Sequence, residues 1–153
     1  MKLRLFSFII ALILVATFTI YFLMSHSYQL SLEAKVHYYL GNYSKAKKIA
    51  KEAHQKDRYN RMAATVMTQS ELALEYVRYN EQAHGYLAKI KEISQKEYIE
   101  KADRIRIKFM AEIMIESFPK LTPTVLIDPD LKKESEAYAK EFEMIHEKVL
   151  LSL

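Results

Sequence analysis

Tyr38-Tyr39-Leu40-Gly41-Asn42-Tyr43-Ser44-Lys45-Ala46-Lys47-Lys48-Ile49-Ala50-Lys51-Glu52-Ala53-His54-Gln55-Lys56-Asp57 reads as the end of one helix, a two-residue turn and the start of another. Gly41 tolerates the left-handed backbone that closes a helix. Asn42 is a favoured residue type for capping the next. Ala46, Ala50 and Ala53 then recur at i, i+4 and i+7, a smooth stripe of methyl groups that lets a neighbouring helix approach closely. Tyr43 stands just ahead of that stripe. So short a turn leaves the two helices antiparallel, and the expectation is an all-α chain.

The same residues resemble the tetratricopeptide repeat, whose turn reads Gly-(Asp/Asn)-Tyr-x-x-Ala, with small residues four and seven positions after the Ala and an acid four residues later. Gly41, Asn42, Tyr43, Ala46, Ala50, Ala53 and Asp57 match in type and spacing, and Leu30 and Ala34 fall at the packing positions of the first helix. Arg58 departs from the family's Pro, and His37 from a common aromatic. The match covers one repeat, residues 27–60. It implies an antiparallel helical solenoid whose grooves bind other polypeptides.

Upstream, residues 5–24, LFSFIIALILVATFTIYFLM, are twenty consecutive uncharged residues. As a helix rising about 1.5 Å per residue they would extend roughly 30 Å, the thickness of a bilayer's hydrocarbon core. The run is longer than a signal peptide's apolar region and ends in Tyr21-Phe22-Leu23-Met24-Ser25-His26, with no small-x-small cleavage site. The expectation is a retained transmembrane helix. Lys2 and Arg4 flank its near side, and Lys35 is the first base beyond it. By the positive-inside rule residues 1–4 are then a cytoplasmic stub, and 25–153 a periplasmic domain on the inner membrane.

Downstream, residues 61–95 have repeat-like length without the turn motif, and Asn60 and Asn80 read as caps of two further helices. Ser94-Gln95-Lys96-Glu97 reads as a capping box opening a helix of about 22 residues. Its apolar line is Tyr98, Ala102, Ile105, Phe109 and Ile113, widened by Ile107, Met110, Met114 and Ile115. So wide a stripe implies contact on more than one side. Pro119 and Pro123 interrupt helix, and Val125, Leu126 and Ile127 form a short β-prone run. That segment either straps the domain's own core or docks on a partner. Asp128 and Pro129 restart a helix. Its seam of Leu131, Ser135, Tyr138, Phe142, Ile145 and Val149 either caps the solenoid or meets a partner's helix, with Tyr138 and Phe142 as contacts.

With 2 Gly, 3 Pro and no Cys in 153 residues, turn-rich β folds, disulfides and thiolate chemistry are excluded. The five histidines show no metal-ligand spacing, and His146, Glu112 and Glu116 read as solvated helix positions. The pattern contains no phosphate loop or nucleophile context, so neither cofactor nor metal nor catalytic residue is expected. Beyond the anchor, 21 bases face 19 acids, a poor basis for nucleic-acid binding. The charge is nonetheless uneven. Lys45, Lys47, Lys48 and Lys51 cluster on the second helix of the turn, whereas residues 128–148 carry seven acids and four bases. The lysines are candidates for an acidic partner or anionic headgroups, and the asymmetry also suits contact between copies. These features point to a membrane-anchored scaffold or adaptor, and its architecture is similar to that of structural components of cell-envelope machines such as flagellar motors, pili and secretion systems. The alternative is a translocon-associated chaperone that holds exported chains.

Overall fold

The structure, a computed structural model, describes residues 2–151, and within the first helix the side chains of 6–20. Among these residues the fold is all-α: α1 (Lys2–Met24), α2 (His26–Tyr39), α3 (Tyr43–Lys56), α4 (Arg61–Ser94), α5 (Lys101–Ser117), a 3-10 turn at Phe118–Lys120, and α6 (Pro129–Leu150). The chain divides into two compact units, Met1–Glu71 and Leu72–Leu153.

In the first unit, α2 and α3 form the expected hairpin. Gly41 takes a φ of 75°, and around it the Gly41 N–H donates to the Tyr38 carbonyl (3.0 Å) and the Asn42 N–H to the His37 carbonyl (2.9 Å). These are the two bonds of a Schellman closure, which satisfies carbonyls that a helix end would otherwise leave bare. Asn42 occupies the cap position of α3, but its side chain makes no capping bond. Ala34, Ala46, Ala50 and Val66 pack together, bringing α4 onto the hairpin.

The N-terminus of α4 is fastened by Asn60, which is fully buried. Its Oδ1 accepts from the Ala63 N–H (3.1 Å), and its Nδ2 donates to the hydroxyls of Ser27 (2.9 Å) and Ser31 (2.8 Å) on α2. The Ser27 hydroxyl in turn donates to the Ala53 carbonyl on α3 (2.9 Å), and that of Ser31 to the Ser27 carbonyl (2.8 Å). Every member of this buried network has a partner, the condition under which such networks stabilise. The buried face of α2 is made of Ser27, Ser31 and Ala34, with Tyr38 packed against the core, whereas Leu32, Val36 and Tyr39 on its opposite side and Leu40 just after it stand in solvent.

The second unit departs from expectation in three places. α4 continues through Asn80 without a break, so residues 61–95 form no second hairpin. Asn80 is an interior helix residue tied to α6: its Nδ2 donates to Glu134 Oε2 (2.9 Å) and the Leu131 carbonyl (3.3 Å), and its Oδ1 accepts from the Ser135 hydroxyl (2.5 Å). The Ser94 box does not open a helix. Ser94 ends α4 and its hydroxyl donates back to the Ile90 carbonyl (2.8 Å), and α5 starts only at Lys101. On α5 the buried line is Asp103, Ile107, Ala111 and Met114, while Ile105, Phe109 and Ile113 are exposed. Phe142 of α6 closes the core formed by Tyr79, Ala83, Ile90, Ile107, Ala111 and Met114. Asp128 caps α6 as expected, accepting from the Asp130 N–H (2.9 Å).

The transmembrane expectation for 5–24 is not met among the described residues, where no helix is long and apolar enough to cross a membrane. The described side chains of α1 cover only about 22 Å of helix axis.

Gly41 offers a clean test of the hairpin. A Cβ built there meets no heavy atom within 4 Å, so a substitution is opposed only by its φ of 75°. Gly41→Val is expected to destabilise the protein by about 1 kcal/mol or more, and Gly41→Asn by less, because Asn adopts left-handed backbone more readily. Denaturant melts of the three proteins measure this order.

Candidate interaction surface

The structure separates the candidate lysines. Lys48 and Lys51 lie on the outer side of α3, opposite the buried Ala46, Ala50 and Ala53, and Lys45 is also exposed. Lys47 is turned to α4, where its Nζ lies 2.7 Å from Glu71 Oε1. The hydrogen bond and charge of Lys47 hold the Glu71 carboxyl below the usual carboxylate range. Lys47 is therefore engaged within the unit, and the free basic face is narrower than the sequence cluster.

The 119–128 segment and the α6 seam divide likewise. Val125 is 99% exposed and Leu126 half-exposed, but Ile127 is 4% exposed and acts as an internal anchor. No strand forms among the described residues. Phe142 is fully buried in the protein's own core and Tyr138 packs against it, so the seam is closed internally and neither residue is a free contact. His146 and Glu112 are half-buried, not solvated. The His146 ring lies 3.4 Å from the Glu112 carboxylate, which also meets Lys108 at 3.5 Å.

Sequence reasoning missed the exposed apolar face of α2, Leu32, Val36, Tyr39 and Leu40. The available signal was the complementary line Ser27, Ser31 and Ala34, whose small side chains suit close helix approach better than the large ones do. On α5 the wide stripe was legible, but the sequence did not show that the widening set, Ile107 and Met114, is the buried side while Ile105, Phe109 and Ile113 face outward.

Polar clefts open on the second unit. One, of about 340 Å³, is lined by Asn80, Glu81, His84, Glu134 and Tyr138 among others, but Glu134 is bound to Asn80. Burial first, and then the Glu134 charge and hydrogen bond, push the Tyr138 hydroxyl above its usual range, the opposite of activation near neutrality. Among the described residues no group of His, Asp and Glu is gathered to hold a metal ion.

Tyr79 shows the same effect most strongly. It is 4% exposed, its hydroxyl lacks a hydrogen-bond partner among the described residues, and burial together with Glu143 pushes its pKa up to about 12. A raised folded pKa means that the stability is present below pH ~10 and is lost as pH rises toward 12, by an amount on the order of 2 kcal/mol. Tyr79→Phe removes an unpaired buried hydroxyl. It should leave neutral stability unchanged or slightly raised and flatten the alkaline loss, a difference that paired melts at pH 8 and pH 11 measure.

Comparison with protein-family models, curated proteins and solved structures returned no match for this chain.

Proposed function

We propose that this chain is a single-pass membrane protein whose helical domain, a tetratricopeptide-like hairpin extended by α4 to α6, works by stoichiometric binding as a scaffold in a bacterial envelope assembly, with the domain on the extracytoplasmic side. The observation that carries the binding reading is the bare face of α2. Leu32, Val36, Tyr39 and Leu40 form an exposed apolar row on a helix whose opposite side is fixed to α3 and α4. Apolar rows of this kind are characteristic of interaction sites. The tetratricopeptide likeness is supported by the Gly41 closure and by the full burial of Ala46, Ala50 and Ala53, the residues that carry the resemblance.

The anchor is supported by the character of α1. Side chains 6–20 are exposed all round, and their large residues are apolar. The Thr17 and Thr19 hydroxyls donate to carbonyls of their own helix at 2.8 to 3.0 Å, so neither hydroxyl needs water. A helix apolar on every side is buried in protein or in lipid. Lys2 and Arg4 then favour a cytoplasmic near end.

An anchored chaperone would share the apolar face but not a fixed stoichiometry. The discriminating experiment is crosslinking in intact cells followed by purification of the wild type and of Lys48→Glu/Lys51→Glu. A scaffold gives a small set of partners at constant ratios. The double variant should recover them several-fold less well, with stability within about 0.5 kcal/mol of wild type and with a salt-sensitive wild-type contact. Many substoichiometric clients would favour the chaperone. Undiminished recovery by the variant would remove α3 from the contact.

A further inference from the structure

α5 is apolar on two opposite sides. Ile107, Ala111 and Met114 are buried in the core of the second unit, and diametrically across the helix lie Ala102, Ile105, Phe109 and Ile113. Phe109 is 58% exposed, Ile113 43% and Ile105 38%. A helix with this pattern belongs between two layers, and among the described residues no second layer covers Ile105, Phe109 and Ile113.

We infer that a second copy of this chain supplies that layer, with the two α5 helices packed antiparallel across a two-fold axis at Phe109. The layout of the face is self-complementary about this residue. Ile105 and Ile113 stand four residues to either side, so antiparallel pairing sets each Ile105 against the other copy's Ile113 and brings the two Phe109 rings together. Lys101 lies eight residues before Phe109 and Glu116 seven after, both exposed and neither with an ion-pair partner among the described residues. At about 1.5 Å per residue they stand roughly 12 Å and 10 Å from the axis, so each Lys101 comes opposite a Glu116. Both sit toward the Ile105 side of the face, which places them on the same side of the paired helices. Parallel pairing would set lysine against lysine and glutamate against glutamate. Arg106, on the other flank, is held by Asp103 at 3.6 Å. Isologous two-fold contacts are the commonest in soluble assemblies.

One face of about four turns is smaller than the roughly 800 Å² per partner of a standard stable interface, so the contact is best trapped covalently. The protein has no cysteine, and an introduced one is its only thiol. Purified full chain in detergent, oxidised with copper phenanthroline, should give disulfide dimer at least about tenfold faster for Phe109→Cys than for Lys140→Cys, an exposed α6 control. Ile105→Cys and Ile113→Cys should each self-couple slowly, because their equivalents lie about 12 Å apart along the axis, beyond disulfide reach. A mixture of the two should couple rapidly. Glu116→Lys should slow coupling through Phe109→Cys several-fold, and adding Lys101→Glu should restore it. The inference is overturned if Phe109→Cys couples no faster than the control, or if Ile105→Cys alone couples as fast as the mixture. It is equally overturned if Phe109→Cys in membranes crosslinks only to a different protein. Unchanged circular dichroism of each variant confirms that the rates report folded protein.

Discussion

The carboxamide of Asn60 is the interaction on which the first unit depends. It sits at the N-terminus of α4, buried from water, and uses both ends: Oδ1 caps α4 through the Ala63 N–H, and Nδ2 reaches the two serine hydroxyls on α2. Through Ser27 the same network touches the last turn of α3 at the Ala53 carbonyl. Three helix segments are thus held by one side chain. A buried amide with any of these partners missing would cost about 1–3 kcal/mol for each unsatisfied group. The chain therefore has one favourable way to place α4 on the hairpin.

That constraint decides which residues are left outside. The network needs small hydroxyl-bearing residues on the inner face of α2, and Ser27 and Ser31 supply them beside Ala34. Leu32, Val36 and Tyr39, on the opposite side of α2, are then outward, and they form the surface on which the proposed scaffold function rests. The second unit repeats the device. Asn80, within α4, binds Ser135, Glu134 and the Leu131 carbonyl and so fixes the start of α6, while Phe142 fills the core beneath. In both units a buried asparagine sets the register and small or aromatic residues fill the space. Apolar residues on α2 and α5 remain exposed.

Much of this was legible in the sequence, and the unread part has physical reasons. The Gly41 turn was readable because a Schellman closure needs left-handed backbone, which glycine adopts without strain. The Asp128-Pro129 start was readable because the cap bond is local. Asn60 could be recognised as a cap, but its amide protons go to residues 29 and 33 positions away, a distance that local pattern does not reach. Asn80 has the same letter and none of the capping role, since only its partners on α6 distinguish them. The Ser94 motif failed because its hydroxyl bonds backward to Ile90, which ends a helix instead of starting one. On α5 hydrophobic periodicity located both faces but not which is buried, and on α2 it did not reveal the exposed apolar face at all. Periodicity weighs apolar area, whereas these helices bury small residues where backbones come close.

The most direct test of this account is a double-mutant cycle on Asn60 and Ser31. Asn60→Ala, Ser31→Ala and the double variant are melted in denaturant beside the wild type. If the carboxamide ties α4 to α2, Asn60→Ala alone should cost about 2–4 kcal/mol through the lost cap and unpaired groups. The pair should also show a coupling of about 1 kcal/mol or more. Additivity within about 0.3–0.5 kcal/mol would contradict the account, because it would mean that Asn60 acts only as a local cap and that something else positions α4.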